Sequence, residues 1–391
     1  MSDKSLICKH TLGRRTRFAA VLLIALLALP LWASAQTWTW KTEAVDTKSA
    51  KFISLAADQE GNLHLSYVTD PEEMRYGFRP VGSSRWFTMK VDRGLGNTTL
   101  RLDREGNPHI CYIAFGELRY AWLDGSKWII QQVAPNSGTI SYNCAMGIAP
   151  DGTPHLAWYH ERLPDNTNYI RLRYAVLKDG QWLVRTLDQD EGTGKWSTIQ
   201  VDEQGHPHIV YTAWDRHQAR YAVSDGKAWT MTPIGRTGLG TREAPRGMGN
   251  SMALDGKGNP NVSYFDELTL KYARRDNGAW VIHNVDTISE SAWSDFSGFR
   301  STLLLDNQGN PHIAYEDAGA LKHAYWDGEK WRVQLIAAGG TTPFRYSSFT
   351  RDSTGALYLA FQDGVDKSLR IAIGRPVAAA QSTAAQKKDN E

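Results

Sequence analysis

Residues 103–112 read DREGNPHICY, and the same ten-residue phrase returns as DEQGHPHIVY from Asp202, DGKGNPNVSY from Asp255 and DNQGNPHIAY from Asp306. Looser copies start at Asp58 (DQEGNLHLSY), Ala149 (APDGTPHLAW) and Asp352 (DSTGALYLAF). The shared glycines are Gly61, Gly106, Gly152, Gly205, Gly258, Gly309 and Gly355, separated by 45, 46, 53, 53, 51 and 46 residues. A repeat of this length without a 3.6-residue apolar period describes a propeller blade rather than a helical hairpin.

Working outward from the phrase, each repeat reads as four strands, a to d. Strand a is the apolar run before the turn, as in Thr302–Leu305. The Asp-x-x-Gly-Asn turn supplies residues that bond their own backbone or tolerate positive φ. Strand b carries an aromatic six residues past each glycine: Tyr67, Tyr112, Trp158, Tyr211, Tyr264, Tyr315 and Phe361. Strand c holds one cation per repeat: Arg75, Arg119, Arg173, Arg220, Lys271, Lys322 and Arg370. Strand d opens with Trp86, Trp128, Trp182, Trp229, Trp280 or Trp331, and the seventh repeat has no such strand. Near residue 37 the chain reads TWTWKTEAVD, with Trp40 five residues before Val45, the interval that separates Trp128 from Val133. The expectation is an all-β, seven-bladed propeller of four-stranded antiparallel blades. Its ring is closed by the N-terminal strand in the last blade, which removes two open sheet edges.

The termini fall outside this pattern. Arg14, Arg15 and Arg17 precede an apolar run from Phe18 to Trp32, and Ala33-Ser34-Ala35 is a small-residue cleavage site. Residues 1–35 are expected to be a signal peptide cut after Ala35, residues 36–375 the propeller, and 376–391 a disordered tail. The destination is the periplasm or the exterior, with no membrane span after cleavage. The remaining chain has 39 basic and 41 acidic residues, a balance unlike that of a nucleic-acid binder. Cys111 and Cys144 sit in strands, where two buried thiols or one bridge are both open, and neither has a metal-ligand spacing partner.

The turns LDGSKW, SDGKAW and WDGEKW resemble degenerate Asp-boxes, the hairpin turns of sialidase-like (BNR-type) propellers of exported bacterial proteins. The resemblance implies the architecture; glycosidases, polysaccharide lyases and lectins all share it. A sialidase would also carry Arg-Ile-Pro near its N-terminus, whereas this chain has Phe78-Arg79-Pro80.

Residues present in every repeat are expected to serve the fold. The five strand b histidines (His64, His109, His155, His208, His312) belong to different repeats and cannot share one metal, so packing or hydrogen bonding between blades is expected of them. No metal, cofactor or catalytic residue is assigned. A site is expected where repeats differ. Val91 to Asp103 spans 12 residues, but Ile234 to Asp255 and Val285 to Asp306 each span 21, and Trp158 to Tyr174 spans 16 against 8 for Tyr112 to Tyr120. In an up-and-down blade these d–a and b–c connections emerge on one face, where a rigid scaffold displays binding loops. The expected ligand residues there are Trp196, Trp214 and Trp293, to stack on sugar rings, with Arg246, Arg300, Arg345 and Tyr346 to meet an acidic group. Asp266, Asp317 and Asp363 follow the strand b aromatic and are expected as turn-formers, while Glu161, Asp215, Glu243 and Asp295 occur singly. His160, His217 and Tyr346 are the candidate bases if the protein were a lyase. The expectation is a protein recognising an acidic carbohydrate. The alternatives are a polysaccharide lyase or glycoside hydrolase, or a platform for envelope proteins.

Overall fold

The computed structural model describes residues 37–134, 139–162, 170–237, 249–289, 301–338 and 345–377. Of the side chains in these segments, those of 139–142, 160–162 and 345 lie outside the description. The strands run in order β1 (Trp38–Ala57), β2 (Leu63–Thr69), β3 (Glu73–Arg79), β4 (Phe87–Arg93), β5 (Thr98–Leu102), β6 (Pro108–Ala114), β7 (Glu117–Asp124), β8 (Lys127–Gln132) and β9 (Thr139–Ile148). They continue as β10 (Pro154–Arg162), β11 (Leu172–Lys178), β12 (Gln181–Thr186), β13 (Thr193–Val201), β14 (Pro207–Ala213), β15 (Gln218–Ser224), β16 (Trp229–Arg236), β17 (Ser251–Leu254) and β18 (Pro260–Asp266). The last are β19 (Thr269–Asp276), β20 (Ala279–Thr287), β21 (Ser301–Leu305), β22 (Pro311–Asp317), β23 (Ala320–Trp326), β24 (Trp331–Ala338), β25 (Arg345–Arg351), β26 (Leu357–Gln362) and β27 (Ser368–Pro376). Among the described residues the one helix is a 3-10 turn, Trp214–Arg216, and no helix is long and apolar enough to cross a membrane.

Five sheets have four antiparallel strands each, and a further set of seven runs β25-β26-β27-β1-β2-β3-β4. β1 belongs to both halves of that set. Its first part pairs with β27 (Trp40 opposite Gly374, Lys41 opposite Ile373), and its second pairs with β2 (Leu55 opposite Leu65). The stretch after Val45 is therefore extended strand rather than a surface loop. One cavity of about 1320 Å³ is lined by β1, β5, β9, β13, β17, β21 and β25, the first strand of every repeat. Sheets disposed around a shared cavity in this way form a β-propeller.

The innermost strands are linked by side-chain hydrogen bonds. Ser348 accepts from Leu55 N (2.9 Å), Ser54 from Leu100 N (3.0 Å), and Thr99 donates to Cys144 O (2.8 Å). Asn143 donates to Ser197 (3.2 Å), Gln200 accepts from Leu254 N (3.1 Å), Ser251 accepts from Leu303 N (2.9 Å), and Arg351 donates to Leu305 O (2.7 Å). Small polar residues suit this position because the strands crowd together near the cavity, and each buried backbone group needs a partner.

Further out, neighbouring sheets are joined by a carboxylate. Asp92, at the end of β4, accepts from Tyr112 of the next sheet (2.6 Å) and from Arg119 (2.8 Å). Asp188 holds Tyr211 (2.7 Å) and Arg220 (2.9 Å), Asp286 holds Tyr315 and Lys322, and Asp46 holds Tyr67 (2.8 Å). Burial opposes ionisation of Asp92, but the bonds from Tyr112 and Arg119 outweigh it and keep the carboxyl below its ordinary range. Burial, reinforced by the adjacent carboxylate, lifts the phenols of Tyr112 and Tyr211 far above theirs. Where the aspartate is replaced by Ala134 or Ala337, the facing aromatic is Trp158 or Phe361, neither of which has a hydroxyl. The fifth repeat departs from this rule. There Gly235 faces Tyr264, whose hydroxyl is buried without a partner and would lie 2.5 Å from any Cβ at 235.

The strand b histidines form their hydrogen bonds within their own sheets, and His312 also meets Trp38 of the neighbouring sheet edge-on at 5.3 Å, a contact between blades of the expected kind. His64 bridges Tyr76 (2.7 Å) and Asp58 (3.2 Å), and His109 and His208 repeat the arrangement with Tyr120 and Asp103, and with Tyr221 and Asp202. The tryptophans of strand d make the contacts between sheets. Trp128 meets Tyr76 edge-on at 5.2 Å, Trp182 meets Tyr120 at 5.3 Å, and Trp40 meets His323 at 5.3 Å. Cys111 and Cys144 are buried and free, in one apolar cluster.

Two predictions follow from these contacts. Urea unfolding should show Tyr211→Phe to be destabilising by about 1–2 kcal/mol, the usual range for a lost buried hydrogen bond. Tyr264→Phe, which loses no partner, should be neutral. The second concerns acid. Burial pulls His155 down to about 4 and holds His64, His109 and His208 below 6.5 despite their aspartates. These groups stay neutral in the fold while the unfolded chain takes up protons. Their contribution is complete above about pH 6.5 and is lost as pH falls toward 4. Thermal melting followed by circular dichroism should show the midpoint dropping across that window.

Candidate functional site

Strand a is interrupted at one register position in four repeats, in β9 between Ile140 and Cys144 and in three others that place an aromatic there. The β1–β2 pairing shifts between Lys51 and Ser54, β13–β14 between Lys195 and Thr198, and β25–β26 between Arg345 and Ser348. At each of these three bulges a large aromatic takes a left-handed backbone: Phe52 (φ 54°), Trp196 (φ 48°) and Tyr346 (φ 55°). All three lie six residues before the turn aspartate, or its counterpart, of their repeat. Such a conformation costs a bulky residue about 1–3 kcal/mol and persists where the surroundings impose it, often at binding sites. The bulges break the regular alternation of these side chains, and Phe52 and Tyr346 pack on apolar clusters between sheets.

In the fourth repeat the local sequence explains the geometry. Gly194 (φ 97°) runs so close to β11 that a Cβ would lie 2.7 Å from Leu172 Cα. Gly192 accepts the Trp214 N–H at 2.7 Å, and a Cβ there would strike the Asp215 carboxylate at 2.6 Å. These glycines bring two segments 18 residues apart into contact. Trp196 and Trp214 stack with ring centroids 5.6 Å apart and planes 22° apart. The Lys195 ammonium sits 4.3 Å from the Trp214 ring centre and 5.8 Å from that of Tyr159. The arrangement is a half-exposed aromatic shelf with a cation on it. Beside it Asn97 donates to Asn143 (3.0 Å), and Asn250 donates to Trp196 O (3.4 Å), a row of amides along the cavity wall.

Of the residues expected from sequence, Trp196 and Trp214 are brought together. Tyr346 instead packs on Phe52, centroids 4.9 Å apart, between the last and first repeats. Arg246, Trp293 and Arg300, like Glu243 and Asp295, lie outside the described residues, as do the side chains of Arg345, His160 and Glu161. His217 caps the short 3-10 turn with φ 51°. Asp266, Asp317 and Asp363 are not merely turn-formers. They pair with the strand c cations Lys271 (2.8 Å), Lys322 (2.6 Å) and Arg370 (2.8 Å). Arg79 is buried against Trp86 and Tyr358, a structural position. Sequence reasoning missed Phe52, Lys195, Asn97 and Asn143. Aligning the repeats at six residues before the turn would have exposed Phe52, Asn97 and Asn143 in one column with Trp196, Arg300 and Tyr346.

No protein-family profile and no curated protein matches the sequence. Solved structures do match in shape. A catalytically inactive virginiamycin B lyase from Staphylococcus aureus, solved with quinupristin, superposes with a TM-score of 0.59 at 7% identity, covering 87% of this chain and 100% of that one. An α-L-arabinanase from Penicillium chrysogenum complexed with arabinobiose gives 0.51 at 12% identity, covering 86% and 98%. The Aleuria aurantia lectin in complex with Fucα1-6GlcNAc gives 0.50 at 13% identity, covering 76% and 99%. At these identities the likeness establishes the propeller fold.

Proposed function

We propose that this chain is an exported glycan-recognition propeller of seven blades, whose ligand lies on the loop-rich mouth of the central cavity. Seven blades and a closed ring are supported by the double pairing of β1 and by inner-strand bonds that run from repeat to repeat and return from Ser348 to Leu55. On this reading residues 1–35 are the export signal, removed after Ala35. The Asp-Gly hairpins support kinship with Asp-box propellers, since Asp225 accepts from Lys227 N (2.9 Å) and Ala228 N (2.7 Å) as a turn-closing carboxylate would.

The observation that carries the functional reading is the Trp196–Trp214 shelf, raised on a strained bulge. A flat aromatic surface beside amides and a cation matches a sugar ring, which offers C–H faces for stacking and hydroxyls around its rim. The printed ligands of the lectin and the arabinanase are carbohydrates, which adds support. Lys195, with Arg246, Arg300 and Arg345 in the neighbouring connections, favours a carbohydrate bearing carboxylate or sulfate.

Glycan-array binding followed by titration calorimetry is the test. Trp196→Ala should reduce affinity at least tenfold with an unchanged melting midpoint, and unchanged affinity would refute the shelf. Release of new reducing ends from a bound glycan would replace recognition by hydrolysis. For the ring, deleting residues 37–46 uncovers β27 and removes Trp40 from His323. Size-exclusion chromatography should then show self-association, and a monomer of unaltered stability would contradict closure.

A further inference from the structure

In six of the seven repeats a carboxylate neutralises the strand c cation, supplied either by the clamp between sheets or by the cation's own sheet. Arg75 pairs with Glu73 (3.0 Å), Arg119 with Asp92 (2.8 Å) and Glu117 (3.0 Å), and Arg220 with Asp188 (2.9 Å) and Asp190 (3.0 Å). Lys322 pairs with Asp317 and Asp286. In the fifth and seventh repeats, where Gly235 and Ala337 replace the clamp aspartate, a different acid substitutes. Lys271 turns to Asp266, and Arg370 to Asp363 and Asp366.

The third repeat is the exception. Its clamp aspartate is Ala134, its strand b partner is Trp158, and the position two before the cation, glutamate in the first two repeats, is Arg171. Arg173 donates one bond, to the Thr186 hydroxyl (3.1 Å), and its Nε is buried without a partner. Among the described residues it has no carboxylate. A half-buried guanidinium stripped of counter-ions is costly, and burial draws its proton affinity below the ordinary value with no acid to offset it. Two of these substitutions remove negative charge or add positive charge at one point, and the third removes the hydroxyl that the clamp aspartate would have held, which describes a vacated anion position. The same repeat carries the longest b–c connection, and Leu172, between the two arginines, touches the Gly194 that sets up the tryptophan shelf.

We propose that Arg173 is the anion-binding residue of the loop-rich face, taking the carboxylate or sulfate of an acidic sugar where other repeats place their own aspartate. This rests on the glycan reading above and assigns the charge of the ligand to a named residue. The fork of a guanidinium with free N–H donors meets two oxygens of a carboxylate or sulfate at once, and Thr186 holds one end of it in place. Trp158, fully buried, fills the space a clamp tyrosine would take and brings no hydroxyl to it.

The experiment uses a galacturonate tetrasaccharide, a sulfated tetrasaccharide and a neutral tetrasaccharide as probes, titrated into the whole protein by calorimetry. The wild type should bind an acidic probe at least tenfold more tightly than the neutral one, and which acid it prefers separates carboxylate from sulfate. Arg173→Gln should erase that preference, by about 10–100-fold for a charge-assisted pair, while leaving the neutral probe unchanged. Rebuilding the repeat's own clamp with Ala134→Asp and Trp158→Tyr should likewise erase it, with the melting midpoint kept or raised. This variant separates anion binding from damage to the fold. If the wild type shows no acidic preference, or if either variant keeps it, the proposal is wrong. Loss of all three probes in Trp196→Ala tests the shelf independently: should Trp196→Ala bind normally while Arg173→Gln loses the acidic preference, the shelf fails and Arg173 stands.

Discussion

The contact on which the assembly turns is a buried carboxylate shared between neighbouring sheets, seen in Asp92 with Tyr112 and Arg119. Four-stranded sheets that meet face to face have only side chains to fix their relative angle, and apolar packing tolerates sliding. A carboxylate that accepts from a tyrosine on strand b and a cation on strand c of the next sheet does not, because its two bonds have direction and burial makes a broken one costly. The chain treats hydroxyl and carboxylate as a unit. Where Ala134 or Ala337 removes the acid, Trp158 or Phe361 removes the hydroxyl, so neither is left buried alone.

This economy makes the exceptions informative. Tyr264 keeps its hydroxyl opposite Gly235, an orphan in the wall beside the long fourth-to-fifth connection. Arg173 keeps its charge with no carboxylate against it among the described residues. The bulges at Phe52, Trp196 and Tyr346 break the strand a ladder, while the residues from there to the turn keep their pairing. All of these departures fall on the half of the sheets bearing the d–a and b–c connections. The opposite half, with its Asp-x-x-Gly turns and His–Tyr–Asp relays, is nearly uniform. A rigid, repetitive base with an irregular rim is the arrangement in which strain at a site can be carried by the scaffold.

The pH behaviour follows from the uniform half. His64, His109, His155 and His208 act as neutral hydrogen-bonding struts, and the expectation that they are structural holds, though the relay runs within a sheet where contacts between sheets were expected. Contacts between sheets on that side come from the strand d tryptophans, including Trp40 of the N-terminal strand.

The repeat phrase, the strand b aromatics and the orphan TWTWKTEAVD segment by themselves determined the four-stranded unit, its repetition and the pairing of the N-terminal strand with β27. These are local or periodic properties, and a period survives in one dimension. Which connections are long was legible too, because lengths are counted along the chain. The meeting of Trp196 with Trp214, the cation over them, the left-handed backbone at three bulges and the isolation of Arg173 were decided only by tertiary structure. Each depends on what a different strand or a different repeat places alongside. A lysine in sequence is a charge. Whether it is neutralised, stacked on an indole or left waiting for an anion is a property of its neighbours in space.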